Sequence, residues 1–404
     1  IARLEVAPVG MKTWDDVALW YHELAEAQIK AGKGVKSKAL ELTAGVDNNY
    51  EKLKNIYEWA RDQVRYVAVE IGIGGFQPHP AEEILLNRYG DCKDMTTLIC
   101  SLAREAGIEA YEVLVSTWQN GMPDTSLPSP LQFNHAIAYC PKVGENGAWL
   151  DATEKGCPYG RLPWYDQGLP MLVVGKEGTG EIIFSPRVPA DSNQTIFEWT
   201  VNLEANGAAS VQGKTRYKGT VADEMRDLFY YASSEQQKNW LEIFLATRCS
   251  SAKLDSFQIA GLNPVHDPVI ITYSFRTSAF SVPNDSQMTL HPGQILAFDL
   301  PDYFRASNRK HPIQFRFGAK SELNLTVNIP DEWEIKTRNS SDSLVSHFGK
   351  ATWDCSVHEK ILNVRITSFL NGTAVQPGQY REFQDFIDRI KAKDLREIVL
   401  QPTK

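Results

Sequence analysis

Apolar and polar positions in the first third of the chain recur with the 3.6-residue period of amphipathic helices. Thr13 followed by Asp16 reads as a capping-box variant ahead of a helix with Val17, Trp20, Tyr21 and Leu24 on one face, ended by Gly32 and Gly34. A second helix, begun near Asp47 or Asn48, places Leu53, Ile56, Tyr57, Ala60 and Val64 on one stripe. A loop from Gly72 to Pro80 and a short helix around Ala81 to Leu86 lead into Gly90-Asp91-Cys92-Lys93-Asp94. That segment opens a helix whose apolar face is Met95, Leu98, Ile99 and Leu102, with Gly107 as its natural C′ residue. Three strand-like runs follow, Ala110 to Ser116, Asn134 to Cys140 and Ala148 to Ala152, and helices followed by strands predict an α+β core.

The period then changes. The stretch Ser185 to Asn193 is dense in breakers and marks the best boundary. Beyond it Phe197, Trp199, Val201 and Leu203 alternate with Glu198, Thr200, Asn202 and Glu204, the signature of a half-buried strand, and Asn206-Gly207 supplies a hairpin turn. A helical interlude from about Ala222 to Thr247, further strands such as Leu323 to Ile329, and a last helix carrying Phe383, Phe386, Ile387 and Ile390 complete the chain. The second half therefore reads as a β-rich, sandwich-like domain with helical insertions.

Composition narrows the class. At 404 residues the chain is too long for one typical core. A hydrophobic share of 43% and a charged share of 23% are those of an ordinary globular protein. The net charge of −8 argues against a nucleic-acid partner, which requires a basic stripe. No apolar run approaches the roughly 20 residues of a membrane span. Residue 1 is Ile and no signal peptide follows it, so the chain reads as a processed or truncated piece. Six cysteines without a Cys-x-x-Cys pair exclude a disulfide scaffold, a zinc ribbon and a thioredoxin-type centre, although Cys140 with Cys157 could bridge. No metal and no cofactor are expected, and no acidic calcium loop of the Asp-x-Asp-x-Asp-Gly type is visible. His22 to Glu26 lacks the second His of a zinc protease, and Gly32 to Ser37 lacks the spacing of a phosphate loop.

One constellation carries chemistry. Cys92 stands at a helix start, where the macrodipole and unpaired N–H groups favour a thiolate. Asp91 and Asp94 oppose that charge and Lys93 supports it, so the local balance nearly cancels and an imidazolium partner is needed. His135, in Gln132-Phe-Asn-His-Ala-Ile-Ala-Tyr139, is the candidate, on a strand face shared with Ile137 and Tyr139. Asp151, ending the next strand in Trp149-Leu-Asp-Ala-Thr153, can hold the imidazole tautomer. The plainer readings are a buried cysteine and a hydrogen-bonded histidine. The three motifs together outweigh them. Cys100 reads as core, Asp94 as a helix-start residue, and His79, between two prolines, as loop structure.

The motifs GDCKD, FNHAI and WLDAT, in that order, with QPHP ahead of them, resemble the bacterial branch of the transglutaminase-like superfamily. The resemblance covers about residues 12–188 and implies a papain-like fold with Cys92 as nucleophile, His135 as general base and acid, and Asp151 as orienter. The Cys92 N–H would be one oxyanion donor, and Gln77 or Tyr66 the polar candidates for a second, each against a plainer reading as loop packing. Residues 194–404 resemble the β-rich domain of uncharacterised function that often follows this core, and residues 1–11 would be the remnant of an upstream domain or a linker. The resemblance implies a cysteine peptidase or amidase acting on a peptide or protein, with a transglutaminase or a non-catalytic scaffold as alternatives, in the bacterial periplasm or at the cell surface.

Overall fold

The computed structural model describes residues 6–68, 70–263, 265, 268–284, 286–296, 309–394 and 397–403. Residues 1–5, on which part of the expectation for 1–11 falls, lie outside the described residues. The chain divides into two compact units, 1–187 and 188–404.

In the first unit α1 (Trp14–Ile29) begins with a reciprocal capping box, Asp16 N donating to Thr13 Oγ1 at 3.2 Å and Thr13 N to Asp16 Oδ2 at 2.8 Å. Its buried stripe is Val17, Ala18, Tyr21, Ala25 and Ile29, rotated from the expected face so that Trp20 and Leu24 are only partly covered. The small residues explain the rotation. A Cβ on Gly180 would lie 2.3 Å from the Trp14 carbonyl oxygen and 3.0 Å from Ala18 Cβ, so helix and strand meet closely there.

The chain then forms α2 (Lys33–Thr43), a helix that the sequence reading missed by taking Gly32 and Gly34 as a stop. Both glycines serve its start. Gly34 N and Val35 N donate to the Glu82 carboxylate at 2.7 and 3.0 Å, so the orphan amides are capped by a side chain about fifty residues away. A Cβ at Gly32 or Gly34 would come within 2.4 or 2.5 Å of the carboxylate oxygens. α3 (Asn49–Gln63), capped by Asn48, buries Leu53, Ile56, Tyr57 and Ala60.

Two-residue strands β1 (Arg65–Tyr66) and, after α4 (Ala81–Asn87), β2 (Tyr89–Gly90) pair in parallel and set Tyr66 opposite Gly90. α5 (Cys92–Glu105) follows directly. Strands β3 (Tyr111–Val115), β4 (His135–Cys140), β5 (Ala148–Leu150), β6 (Pro170–Val174) and β7 (Gly180–Phe184) form one antiparallel sheet in the order β5-β4-β3-β6-β7. Leu114, Ala136, Leu172 and Val174 pack with α1 and Cys92, whereas Val113, Ile137, Trp149, Leu162 and Met171 form a separate cluster on the other face. Both faces are covered, which is why these strands are almost uniformly apolar.

The second unit is built on an eight-stranded sheet. Its strands are β8 (Gln194–Leu203), β9 (Ala209–Lys218), β10 (Lys253–Ala260), β11 (Val269–Thr277), β13 (Ala319–Asn328), β15 (Ser340–Ser346), β16 (Gly349–His358) and β17 (Ile361–Leu370). Helices α6 (Thr220–Tyr230) and α7 (Ser234–Ala246) replace the single expected interlude, a Ser233–Gln236 capping box restarting the second. β12 (Met288–Leu290), β14 (Trp333–Ile335), α8 (Tyr380–Asp394) and β18 (Ile398–Pro402) complete it. The sheet order is β10-β11-β9-β8-β13-β17-β16-β15, and a small sheet β12-β18-β14 shares its main core. The unit is β-rich as expected, its second layer being that small sheet and helices. All six cysteines are buried free thiols, Cys140 and Cys157 among them.

Candidate active site

Three elements bring the expected residues together. Asp91 caps α5, accepting from Asp94 N, while the Asp94 carboxylate accepts from Asp91 N, so a second capping box holds the turn in front of Cys92. Gly90 is required here, since a Cβ would lie 2.5 Å from Asp94 Cβ. Lys93, nearly buried, pairs with Asp91 at 2.5 Å. Asp94 also accepts from His79 N at 2.8 Å and lies 3.2 Å from His79 Nδ1, so His79 anchors the preceding loop to the helix start. The charges beside Cys92 are therefore paired among themselves, and Cys92 is 7% exposed at the first turn.

His135 opens β4. Thr96 of α5 donates to the Ala136 carbonyl at 3.0 Å and pins helix to strand one residue from the imidazole. The ring's Nε2 lies 3.0 Å from Asp151 Oδ2, and His135 shares the lining of one cavity with Cys92. With Asp151 ionised, Nε2 carries the donated proton, which leaves Nδ1 for Cys92. Asp151 is fixed from three sides. Thr153 donates to Oδ1 through N at 2.9 Å and Oγ1 at 2.7 Å, and Tyr57 Oη donates to its backbone carbonyl at 3.0 Å.

Burial opposes a charged imidazole, but the Asp151 and Asp166 carboxylates, the hydrogen bond to Asp151 and the neighbouring Cys92 outweigh it, holding the His135 pKa well above its ordinary value. Burial likewise works against the Asp151 carboxylate; the His135 charge and the donors around it prevail and lower its pKa. The arrangement stabilises an imidazolium between a carboxylate and a thiol.

Asp166 is the residue that the sequence reading missed. It is fully buried, with Oδ2 3.7 Å from His135 Nε2. Its only signal is an acid set among aromatic and apolar residues in Leu162-Pro-Trp-Tyr-Asp-Gln-Gly168, and local pattern cannot say what such an acid faces. His135, Asp151 and Asp166 form a group whose donor atoms lie within 4.8 Å of one another, close enough to hold a cation. Its imidazole nitrogen is already engaged with Asp151 at hydrogen-bond distance, and a metal there would compete with that bond.

The other two candidates separate. Gln77 Nε2 donates to the Leu24 carbonyl at 3.5 Å. Tyr66, placed beside Gly90 by the β1–β2 pair, feels the charges of both Cys92 and His135; burial and the thiol push its pKa up to about 12, so the phenol keeps its proton. Cys92, Lys93 and His135 open onto a cavity of about 430 Å³ walled by Trp20, Phe76 and Phe133. Trp20 and Phe76 meet edge to face at 5.4 Å, which gives that wall a fixed aromatic surface. A larger concavity of about 550 Å³ on the sheet of the second unit, lined by Asn324, Asp354 and Arg365, is remote in sequence from these residues and holds none of them.

A papain-like sheet flanked by a cysteine-led helix defines the class, and comparison with known proteins agrees. Residues 36–151 match the model of the transglutaminase-like superfamily, and residues 287–400 match a domain of unknown function with solved structure, DUF3858. The chain thus carries a transglutaminase-like domain followed by a DUF3858 domain. Among solved structures it is similar to a "putative protease" from Parabacteroides distasonis, at 14% identity and a TM-score of 0.58, over 99% of this chain and 63% of that one. The chain therefore spans under two thirds of that protein, and the likeness establishes the fold. A "putative cysteine protease" from Cytophaga hutchinsonii matches 32% of this chain and 42% of its own at 21% identity, with a TM-score of 0.24. No curated protein matches the chain.

Proposed function

We propose that the first unit is a thiol-dependent amidase or peptidase, with Cys92 as nucleophile, His135 as general base and acid, Asp151 as orienting carboxylate, and residues 12–188 as the catalytic domain. The observation that carries this reading is a helix-start thiol and an imidazole on one cavity, with a buried carboxylate 3.0 Å behind the imidazole. Cys92 Sγ, its proton held by His135, adds to the substrate carbonyl carbon. The imidazolium then protonates the departing amine as the C–N bond breaks and a thioester remains. Water, deprotonated by His135, attacks the thioester; the acid leaves and the thiol regains its proton. The Cys92 N–H, at the first turn of α5, and the Tyr66 phenol are the oxyanion donors we favour, since Gln77 is occupied by the Leu24 carbonyl.

The aromatic wall suits an apolar side chain next to the scissile amide of a peptide or protein. Hydrolysis is preferred to transfer onto an amine because water needs no second binding site. No helix of the described residues is long and apolar enough to cross a membrane; the likeness of the motifs to bacterial transglutaminase-like proteins supports a periplasmic or cell-surface location. The test is labelling with a thiol-reactive acyl probe, wild type against Cys92→Ala, followed by mass spectrometry of products with and without a primary amine. Labelling confined to wild type supports the enzyme. Equal labelling refutes it and leaves a scaffold, and an amine adduct identifies a transglutaminase.

A further inference from the structure

The His135–Asp151 pair does not stand alone. Asp166 lies at the end of the short helical turn Trp164–Asp166, and both its backbone N–H and its carbonyl are hydrogen-bonded. Asp166 N donates to Pro163 O at 3.0 Å, Ser185 Oγ donates to Asp166 O at 2.6 Å, and Trp118 N donates to Tyr165 O at 2.9 Å. The main chain thus aims the carboxyl at the site, where it is 0% exposed and neither oxygen accepts from an N–H or hydroxyl donor. A carboxylate in that position would be left desolvated and without the donors that Asp151 receives from Thr153.

We propose that Asp166 is a fourth, positioning member of the site: as a neutral acid beside Asp151 it offers its carboxyl proton to that carboxylate and so fixes the plane in which Asp151 holds His135 against Cys92. The proposal rests on the triad reading above. Two buried carboxyl groups this close cannot both be ionised. The donors decide which one is, because Asp151 accepts from Thr153 and His135 whereas Asp166 accepts from neither Thr153 nor any other donor. The groups facing Asp166 are His135, Asp151, Glu154 and Tyr165, and burial together with the Asp151 charge drives its proton affinity up. No net proton is consumed. The carboxyl proton stays shared between Asp166 and Asp151 while His135 exchanges its own with Cys92 and substrate.

The experiment compares wild type, Asp166→Ala and Asp166→Asn by the rate of Cys92 alkylation across pH 5 to 9, peptide-resolved by mass spectrometry, with circular dichroism to check folding. Misplacing a catalytic group by about 1 Å can cost on the order of 100-fold, so Asp166→Ala should slow alkylation near neutral pH by about tenfold to a hundredfold. Asparagine, neutral and still a donor, should recover most of that loss with the wild-type pH profile. An unaffected alanine variant overturns the proposal. So does an asparagine variant whose profile moves toward acid by about one pH unit or more, the mark of a lost negative charge. A difference infrared spectrum of the two proteins at pH 7 gives a readout independent of reactivity: loss of a protonated-carboxyl band in Asp166→Asn supports the proposal even if Cys92 proves inert, and no such loss refutes it.

Discussion

Glu112 offers the sharpest test of the electrostatics of the first unit. It lies on β3, is 2% exposed, and accepts from Thr97 Oγ1 of α5 at 2.6 Å, bolting the Cys92 helix to the sheet. Burial raises its pKa from 4.5 to about 7, against the Thr97 hydrogen bond and the nearby Arg104 charge. The folded state thus binds this proton more tightly than the unfolded state. Stability is unaffected below about pH 4.5, falls as pH rises from there to about 7, and is flat above. Each tenfold in proton affinity is worth about 1.4 kcal/mol, so ionised Glu112 costs the fold about 3 kcal/mol at pH 8. Glu112→Gln keeps an oxygen for Thr97 and removes the charge. It should lie within about 1 kcal/mol of wild type at pH 5 and be more stable by about 3 kcal/mol at pH 8. Because the chain has two units, whole-molecule melting mixes them, and hydrogen exchange in peptides covering residues 92–115 reads the right one. A variant-to-wild-type difference equal at pH 5 and pH 8 would show that Glu112 does not titrate in this window, and the argument would fail.

Two further outcomes follow from the site geometry. Gly90→Ala forces a Cβ to within 2.5 Å of Asp94 Cβ and should destabilise the first unit by about 1–3 kcal/mol while slowing acylation of Cys92; an unchanged unfolding midpoint counts against the tight turn. Tyr66→Phe removes the proposed oxyanion donor and should lower kcat on an activated ester by roughly 100- to 1,000-fold with little change in KM, whereas a raised KM at constant kcat would make Tyr66 a ground-state contact only.

Local pattern was a reliable guide wherever the information was local. The box at Thr13–Asp16, the helix start at Cys92, the stripe of α3, the alternation of β8 and the last helix all stand where periodicity and capping chemistry put them. It failed where distant groups intervened. Gly32 and Gly34 look like a helix stop until Glu82 arrives to cap the Gly34 and Val35 amides, and the stripe of α1 turns because small residues let a strand approach.

The same division holds at the site. The order and residue types of GDCKD, FNHAI and WLDAT nominate Cys92, His135 and Asp151, because helix starts and strand ends are encoded locally. Whether Gln77 faces the cavity or a carbonyl, and that a loop beyond β5 delivers a second carboxyl, Asp166, to 3.7 Å from the imidazole, depend on how distant segments pack. A side chain's chemistry is written in the chain, but its partners, and hence its charge state, are fixed only when burial removes water and the fold chooses which donors replace it.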